Sequence, residues 1–126
     1  MVKKQVIDSV GGFNPNFFMY YEETELCWRI HLKHYDIISV PFAQIQHLEG
    51  KSFKDKQMNE KRISFMENGR FIFYSSCYSS FYLKLVYSFI YCSVLARLCI
   101  FRFLNNHKYQ YWKIRQKYIN AIKLRI

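Results

Sequence analysis

Three glutamates and a histidine are the residues of this sequence whose types and spacing could support acid–base or metal chemistry. Glu22, Glu23 and Glu25 fall within one turn at the start of a predicted helix, and His47 ends a predicted strand. A carboxylate aimed at a substrate hydroxyl can act as a general base, and an imidazole can bind a metal ion. Taken alone, the same residues better fit a solvated acidic helix start and a structural histidine.

Two short helices are predicted to position the glutamates. The first covers residues 2–10 and ends at Gly11–Gly12, which permit a left-handed turn and a close backbone approach. The second covers residues 22–33, with acids in its first turn and bases near its end, as the helix dipole favours. Glu25 and Arg29 are four residues apart on it and are expected to form an ion pair.

The rest of the chain is predicted to contain two strands followed by long helices. Residues 36–41 and 43–47 are typical of short strands or extended pieces. Helical sequence then runs from about residue 59 to 104, and a basic helix covers residues 108–124.

The charge of the protein is unevenly distributed along the sequence. The 126 residues suit one domain, and with 51% hydrophobic and 20% aromatic residues they exclude a disordered chain. Residues 1–67 carry nine Lys/Arg and nine Asp/Glu, whereas residues 68–126 carry ten Lys/Arg and no acid, so the net charge of +10 arises in the second part. Because these bases are embedded in apolar sequence, an anionic membrane surface is the favoured partner and no nucleic acid is expected.

The apolar stretch in the second part favours an amphipathic helix in the membrane interface. Between residues 70 and 103 only Lys84, Arg97 and Arg102 interrupt apolar and aromatic sequence. A tilted span and a soluble core helix are the alternatives, although the uncharged piece is shorter than the about 20 residues of a crossing. The four cysteines form no C-x-x-C pair and are predicted to be buried, reduced thiols.

A series of motifs over residues 6–52 points to a family. In order, the chain has a double glycine, aromatic residues, an acidic helix start, a strand ending in proline and an H-x-x-G-x-S motif. The residues are Gly11, Gly12, Phe13, Phe17, Phe18, Glu22, Leu26, Arg29, Tyr35, Val40, Pro41, His47, Gly50 and Ser52. This set resembles the C-terminal half of the catalytic domain of family 2 glycosyltransferases, especially the rhamnosyltransferase-like group. It departs from that pattern at Asn14, Glu23 and Glu25, where Asp is usual, and at His34, where Gly is usual. The resemblance therefore implies a left-handed conformation at His34.

The resemblance implies an α/β fold and a sugar-transfer reaction. Residues 1–57 would be the acceptor-side part of a GT-A (Rossmann-like) catalytic domain, and residues 58–126 a mostly helical, membrane-associating tail. The enzyme would transfer a sugar, with rhamnose favoured, from a nucleotide-sugar donor to a lipid-linked or polysaccharide acceptor. It would act in bacterial cell-envelope polysaccharide synthesis, at the cytoplasmic face of the inner membrane.

The sequence has no D-x-D motif, so this chain is expected to be a truncated enzyme that is inactive alone. The alternative is a non-enzymatic, membrane-peripheral interaction module or an inactive remnant.

The resemblance also implies roles for individual residues. Glu23 would be the general base, and Glu22 could orient the acceptor or act on the base through its like charge. A divalent metal, Mg²⁺ or Mn²⁺, is expected, with His47 as a ligand or a diphosphate contact. The remaining expected contacts are Gly11, Gly12, Phe13 and Trp28 for the acceptor, and Arg29, Lys51 and Ser52 for phosphate.

Overall fold

The computed structural model describes residues 2–44, 46 and 56–126, with side chains from residue 60 onward in the last range. Within these ranges the chain forms five helices, and each predicted helical region contains one or more of them. Their bounds are α1 Lys4–Val10, α2 Glu22–Leu32, α3 Lys56–Cys77, α4 Ser80–Leu104 and α5 Asn106–Lys123.

The predicted α/β, Rossmann-like fold is wrong, because the described residues form helices and no β-strand. Residues 35–40 have no regular secondary structure and are exposed, and the Ala43 N–H donates to the Val40 carbonyl oxygen in a turn (3.0 Å). A strand needs a neighbouring strand to satisfy its backbone hydrogen bonds. The apolar pattern of this segment indicates that it can pair, but the described part of the chain supplies no partner.

Helices α1 and α2 form a small core of their own. Val6 of α1 packs against Leu26 and Ile30 of α2, and all three side chains are buried. Gly11 ends α1 with a φ of 76°, the left-handed turn that the sequence predicts. His34, just after α2, has a φ of 60°, which confirms the expected left-handed conformation.

Helices α4 and α5 form an antiparallel hairpin that contains the larger core. Leu83, Tyr87 and Val94 of α4 are buried together with Ile119 and Ile122 of α5, and α3 packs against them. The chain reverses at Asn105, whose Oδ1 accepts a hydrogen bond from the Lys108 N–H (2.9 Å) and so caps α5.

The long predicted helix is interrupted at Ser79. The Ser79 backbone is extended, and its hydroxyl accepts from the Tyr82 N–H (3.4 Å) as the N-cap of α4. The serines around this position therefore mark a helix boundary that apolar periodicity does not reveal.

Aromatic side chains join α2 to α3. Trp28 lies with its ring centroid 5.2 Å from that of Tyr78 and 6.4 Å from that of Phe73. Tyr21, directly before α2, lies 5.8 Å from the Phe73 ring. The start of α2 is therefore held at a defined position on α3.

Candidate acceptor-side site

The turn that presents the first carboxylates of α2 is fixed from behind by α3. Tyr20 and Tyr21 have φ values of 68° and 70°, which are uncommon for residues other than glycine. The Tyr21 hydroxyl accepts a hydrogen bond from Arg70 Nε (3.0 Å). Gly69 lets α3 approach this closely, because a Cβ at this position would lie 2.6 Å from the Tyr20 carbonyl oxygen.

The two carboxylates at the start of α2 have different surroundings. Glu23, the expected base, is exposed. Glu22 is half-buried, and its Oε2 is shielded from water without a hydrogen-bond partner among the described residues. An unsatisfied buried oxygen typically costs about 1–3 kcal/mol. Any hydrogen-bond donor that reaches Glu22 Oε2 would remove that cost, whereas Glu23 is already solvated.

Arg29 holds the glycine turn against α2. Its Nε and Nη2 donate to the two carboxylate oxygens of Glu25 (both 2.8 Å), the pair that the i,i+4 spacing predicts. The same guanidinium donates to the carbonyl oxygens of Val10 and Gly12 (2.7 Å for Gly12). Glu25 is only 4% exposed and also accepts from Asn14 Nδ2 (3.4 Å). The resulting network joins the end of α1, the turn and α2 into one unit.

The glycines of this turn are required for their conformation. Gly11 and Gly12 have φ values of 76° and 73°, and an added Cβ at either position would meet no atom within 4 Å. Glycine is therefore needed at these positions because of the positive φ, and not because of the predicted close backbone approach, which the described chain does not show. Phe13, next in sequence, is exposed, so a face of its ring is available to a ligand.

Of the remaining predicted site residues, only Trp28 is described, and it lies away from the glycine turn. Trp28, expected to contact the acceptor, is half-buried against α3 and packs on Tyr78. His47, Lys51 and Ser52 lie outside the described residues. Among the residues that are described, no three His, Cys, Asp or Glu side chains lie close enough to hold a metal ion.

A half-open cavity of about 380 Å³ lies between the turn before α2 and helix α3, and the sequence did not predict it. Phe18 and Phe65 form its aromatic side with ring centroids 4.9 Å apart, and Asn16, Asn68 and Arg125 add polar groups. The lining therefore combines aromatic ring faces with amide groups and one cation. The polar and aromatic residues 14–19 were the available signal, but their partners are about 50 to 110 residues away in sequence.

A buried carboxylate connects this region to the hairpin. Glu67 of α3 is 1% exposed, and it accepts hydrogen bonds from Arg70 (2.8 Å) and from Arg115 of α5 (2.5 Å). Burial acts to lower the pKa of Arg70, but the Glu67 charge and the Tyr21 hydrogen bond outweigh it and raise that pKa. Burial, reinforced by the charge of Glu67, raises the pKa of the nearby Tyr87 hydroxyl. These charges fix the position of α3 relative to α5 and to the turn.

Comparisons of this chain with protein-family models, with curated proteins and with solved structures found no match. The functional interpretation therefore depends on the sequence motifs and on the geometry at the start of α2.

Proposed function

We propose that this chain supplies the acceptor side of a glycosyltransferase, which moves a sugar, with rhamnose favoured, from a nucleotide-sugar donor to a lipid-linked or polysaccharide acceptor. One observation carries the proposal: Glu22 and Glu23 begin a helix whose preceding glycine turn is held in place by Arg29. The order of motifs over residues 6–52 supports the same reaction class.

The proposed chemistry needs a carboxylate at the acceptor. As the acceptor oxygen attacks the anomeric carbon, its proton must be removed, and the bond to the diphosphate breaks with the electron pair leaving on the diphosphate. Glu23 takes that proton, since its exposed carboxylate is accessible to an incoming hydroxyl. Glu22 accepts a second hydrogen bond from the acceptor through its unpartnered Oε2 and orients it.

The donor side of the reaction lies outside these residues in the proposal. The sequence contains no D-x-D motif to hold a metal–diphosphate complex. Transfer therefore requires donor-binding residues, with Mg²⁺ or Mn²⁺, from polypeptide that is not part of this sequence. We expect the 126 residues alone to release no nucleotide diphosphate from nucleotide-activated rhamnose or from a panel of other nucleotide sugars.

Substitution of Glu23, the proposed base, in the full-length protein tests the proposal. Glu23→Gln removes the proton acceptor but keeps the size and polarity of the side chain, so sugar transfer to membrane-extracted acceptor should fall by about 10²-fold or more. Binding of the nucleotide sugar, measured by calorimetry, should be unchanged. Asp8→Asn is the matched control, because Asp8 is an exposed helical carboxylate on α1 that pairs only with Lys4 across the described residues.

Either of two results would overturn the assignment of Glu23. Full activity in Glu23→Gln would exclude it as the base. Loss of donor binding would instead assign it to the donor side of the reaction. Loss of activity in Asp8→Asn as well would indicate a general effect of charge.

A non-enzymatic, membrane-peripheral module is the second candidate function, and the exposed apolar surface of α4 favours it. This candidate predicts that the protein transfers no sugar from any nucleotide-activated donor, while membrane binding persists. Transfer that depends on Glu23 would exclude it.

A further inference from the structure

Helix α4 has an apolar surface directed away from α3 and α5 and exposed among the described residues. Its buried residues, Leu83, Tyr87 and Val94, lie on one side of the helix. At about 100° per residue, the opposite side carries another apolar set. We call this set the outer face of α4; it comprises Phe81, Leu85, Phe89, Cys99, Ile100 and Phe103. Phe89 is 70% exposed and Phe103 is 85% exposed, whereas the outward side of a helix in a soluble protein is normally polar.

Cations border the outer face on both sides. Lys84 and Arg102 are eighteen residues apart, or about five turns, so they lie along the same edge. Arg97 lies near the other edge, where its guanidinium is 4.8 Å from the Trp112 ring centroid. Long basic side chains at the edges of an apolar face can reach lipid headgroups while their stems remain in apolar surroundings.

The position of α5 argues against a transmembrane orientation of α4. By length and composition α4 is the one helix in the described ranges that could cross a membrane. However, α5 packs along it, with Arg97 of α4 beside Trp112 and Tyr91 of α4 beside Lys123 (4.3 Å from Nζ to the ring centroid). The exposed Lys113 and Lys117 of α5 therefore lie level with the middle of α4. A spanning α4 would carry both lysines into the hydrocarbon layer, which is strongly unfavourable.

The positive charge of residues 68–126 indicates what binds to the outer face. Residues 68–126 contain ten Lys/Arg and no acid, which complements anionic headgroups. A second copy of the chain would also cover the apolar surface, but it would bring two strongly cationic regions together.

We propose that α4 lies flat in the interface of an anionic lipid bilayer, with its outer face towards the acyl chains and α5 towards water. This surface is separate from the start of α2, so the inference holds whether or not the chain transfers sugar.

The native cysteines provide the first test. Cys92 and Cys99 are exposed on α4, where buried thiols were predicted, and Cys27 is exposed on α2. Phosphatidylcholine vesicles containing phosphatidylglycerol should slow maleimide labelling of Cys92 and Cys99 at least about tenfold and leave Cys27 reactive, as followed by mass spectrometry. Vesicles of phosphatidylcholine alone should protect much less.

Several outcomes of this labelling experiment would overturn the proposal. Equal reactivity of Cys92 and Cys99 with and without anionic vesicles would exclude docking of the outer face. Protection that needs no lipid and grows with protein concentration would assign the face to a second copy of the chain. Protection of Lys117 from water-soluble acetylating reagents in vesicles would mean that α4 and α5 enter the bilayer together.

A substitution on the outer face provides the second test. Phe89→Asp changes an exposed side chain, so the helical circular dichroism should be retained, while partitioning into anionic vesicles should fall about tenfold or more. Asn120→Asp is the matched control, because it adds the same charge to an exposed position of α5. Equal losses in the two variants would indicate charge alone and would overturn the assignment of this face.

Discussion

Two ion pairs with the same i,i+4 spacing have very different surroundings in this protein. Lys4–Asp8 on α1 is exposed at both ends, whereas Arg29–Glu25 on α2 is largely buried and also binds two carbonyl oxygens of the glycine turn. Exposed pairs contribute little to stability, because water solvates the two charges almost as favourably when they are apart. Removing one partner of a buried pair leaves a charge without solvation. The spacing is the same in both pairs, but burial decides which one stabilises the fold.

Replacement of Arg29 should therefore destabilise the protein far more than replacement of Lys4. We expect Arg29→Ala to lower the free energy of unfolding by about 3–5 kcal/mol, because it leaves Glu25 and two carbonyl groups without their partner. Lys4→Ala should lower it by less than about 1 kcal/mol. Urea unfolding followed by circular dichroism measures both, and equal effects would mean that the network around Arg29 is not formed.

The contact between α3 and the turn before α2 depends on one glycine. Within a helix, alanine is normally more stable than glycine by about 1 kcal/mol. Gly69 is an exception, because its Cβ would lie 2.6 Å from the Tyr20 backbone oxygen. Backbone atoms cannot move aside as a flexible side chain can, so either α3 or the turn would have to shift.

Gly69→Ala should thus be destabilising despite the higher helix propensity of alanine. We expect a loss of about 1–3 kcal/mol in the free energy of unfolding, with a change in near-ultraviolet circular dichroism from the displaced tyrosines. Ser76→Ala, at an exposed position of the same helix, should instead be neutral or slightly stabilising. A stabilised Gly69→Ala variant would show that α3 and the turn are not in contact.

The whole protein has few acids with which to balance its cations. Against nineteen Lys/Arg there are nine Asp/Glu, and ion pairs involve Asp8, Glu25, Glu60 and Glu67. The hydrogen bond and the charge of Lys117 lower the pKa of Glu60 from its ordinary 4.5. A carboxyl group with a lowered pKa in the folded state adds stability above its unfolded pKa, and that stability is lost as pH falls through the folded value.

Acid should consequently weaken the contact between α3 and α5. Below pH 4.5 we expect the free energy of unfolding to fall, and to fall less steeply in Glu60→Gln, which has no proton to bind at this position. Lys117→Gln should flatten the same part of the pH profile, because it removes the cause of the lowered pKa. Lys113→Gln, a neighbouring exposed lysine, should leave the slope unchanged. Unaltered slopes in both Glu60→Gln and Lys117→Gln would exclude this linkage.

Features that depend on neighbouring residues could be predicted from the sequence. The helical regions, the left-handed turn at Gly11, the Glu25–Arg29 pair and the break at Asn105 follow from local periodicity and turn chemistry. The interactions that determine these features join residues only a few positions apart, so the features can be predicted from the sequence.

Features that join distant segments were decided only by the tertiary structure. The absence of strands from the described chain, the cavity between Phe18 and Phe65 and the buried Glu67–Arg115 pair depend on which segments meet, and periodicity carries no such information. The surroundings of α4 are the clearest case. Its own sequence fits a span, an interfacial helix or a core helix, and only the structure shows which of its side chains pack against α5 and which stay exposed. By itself the sequence determined where helices form and where charge accumulates; the packing decided which surfaces remain exposed, because burial depends on contacts between residues far apart in the chain.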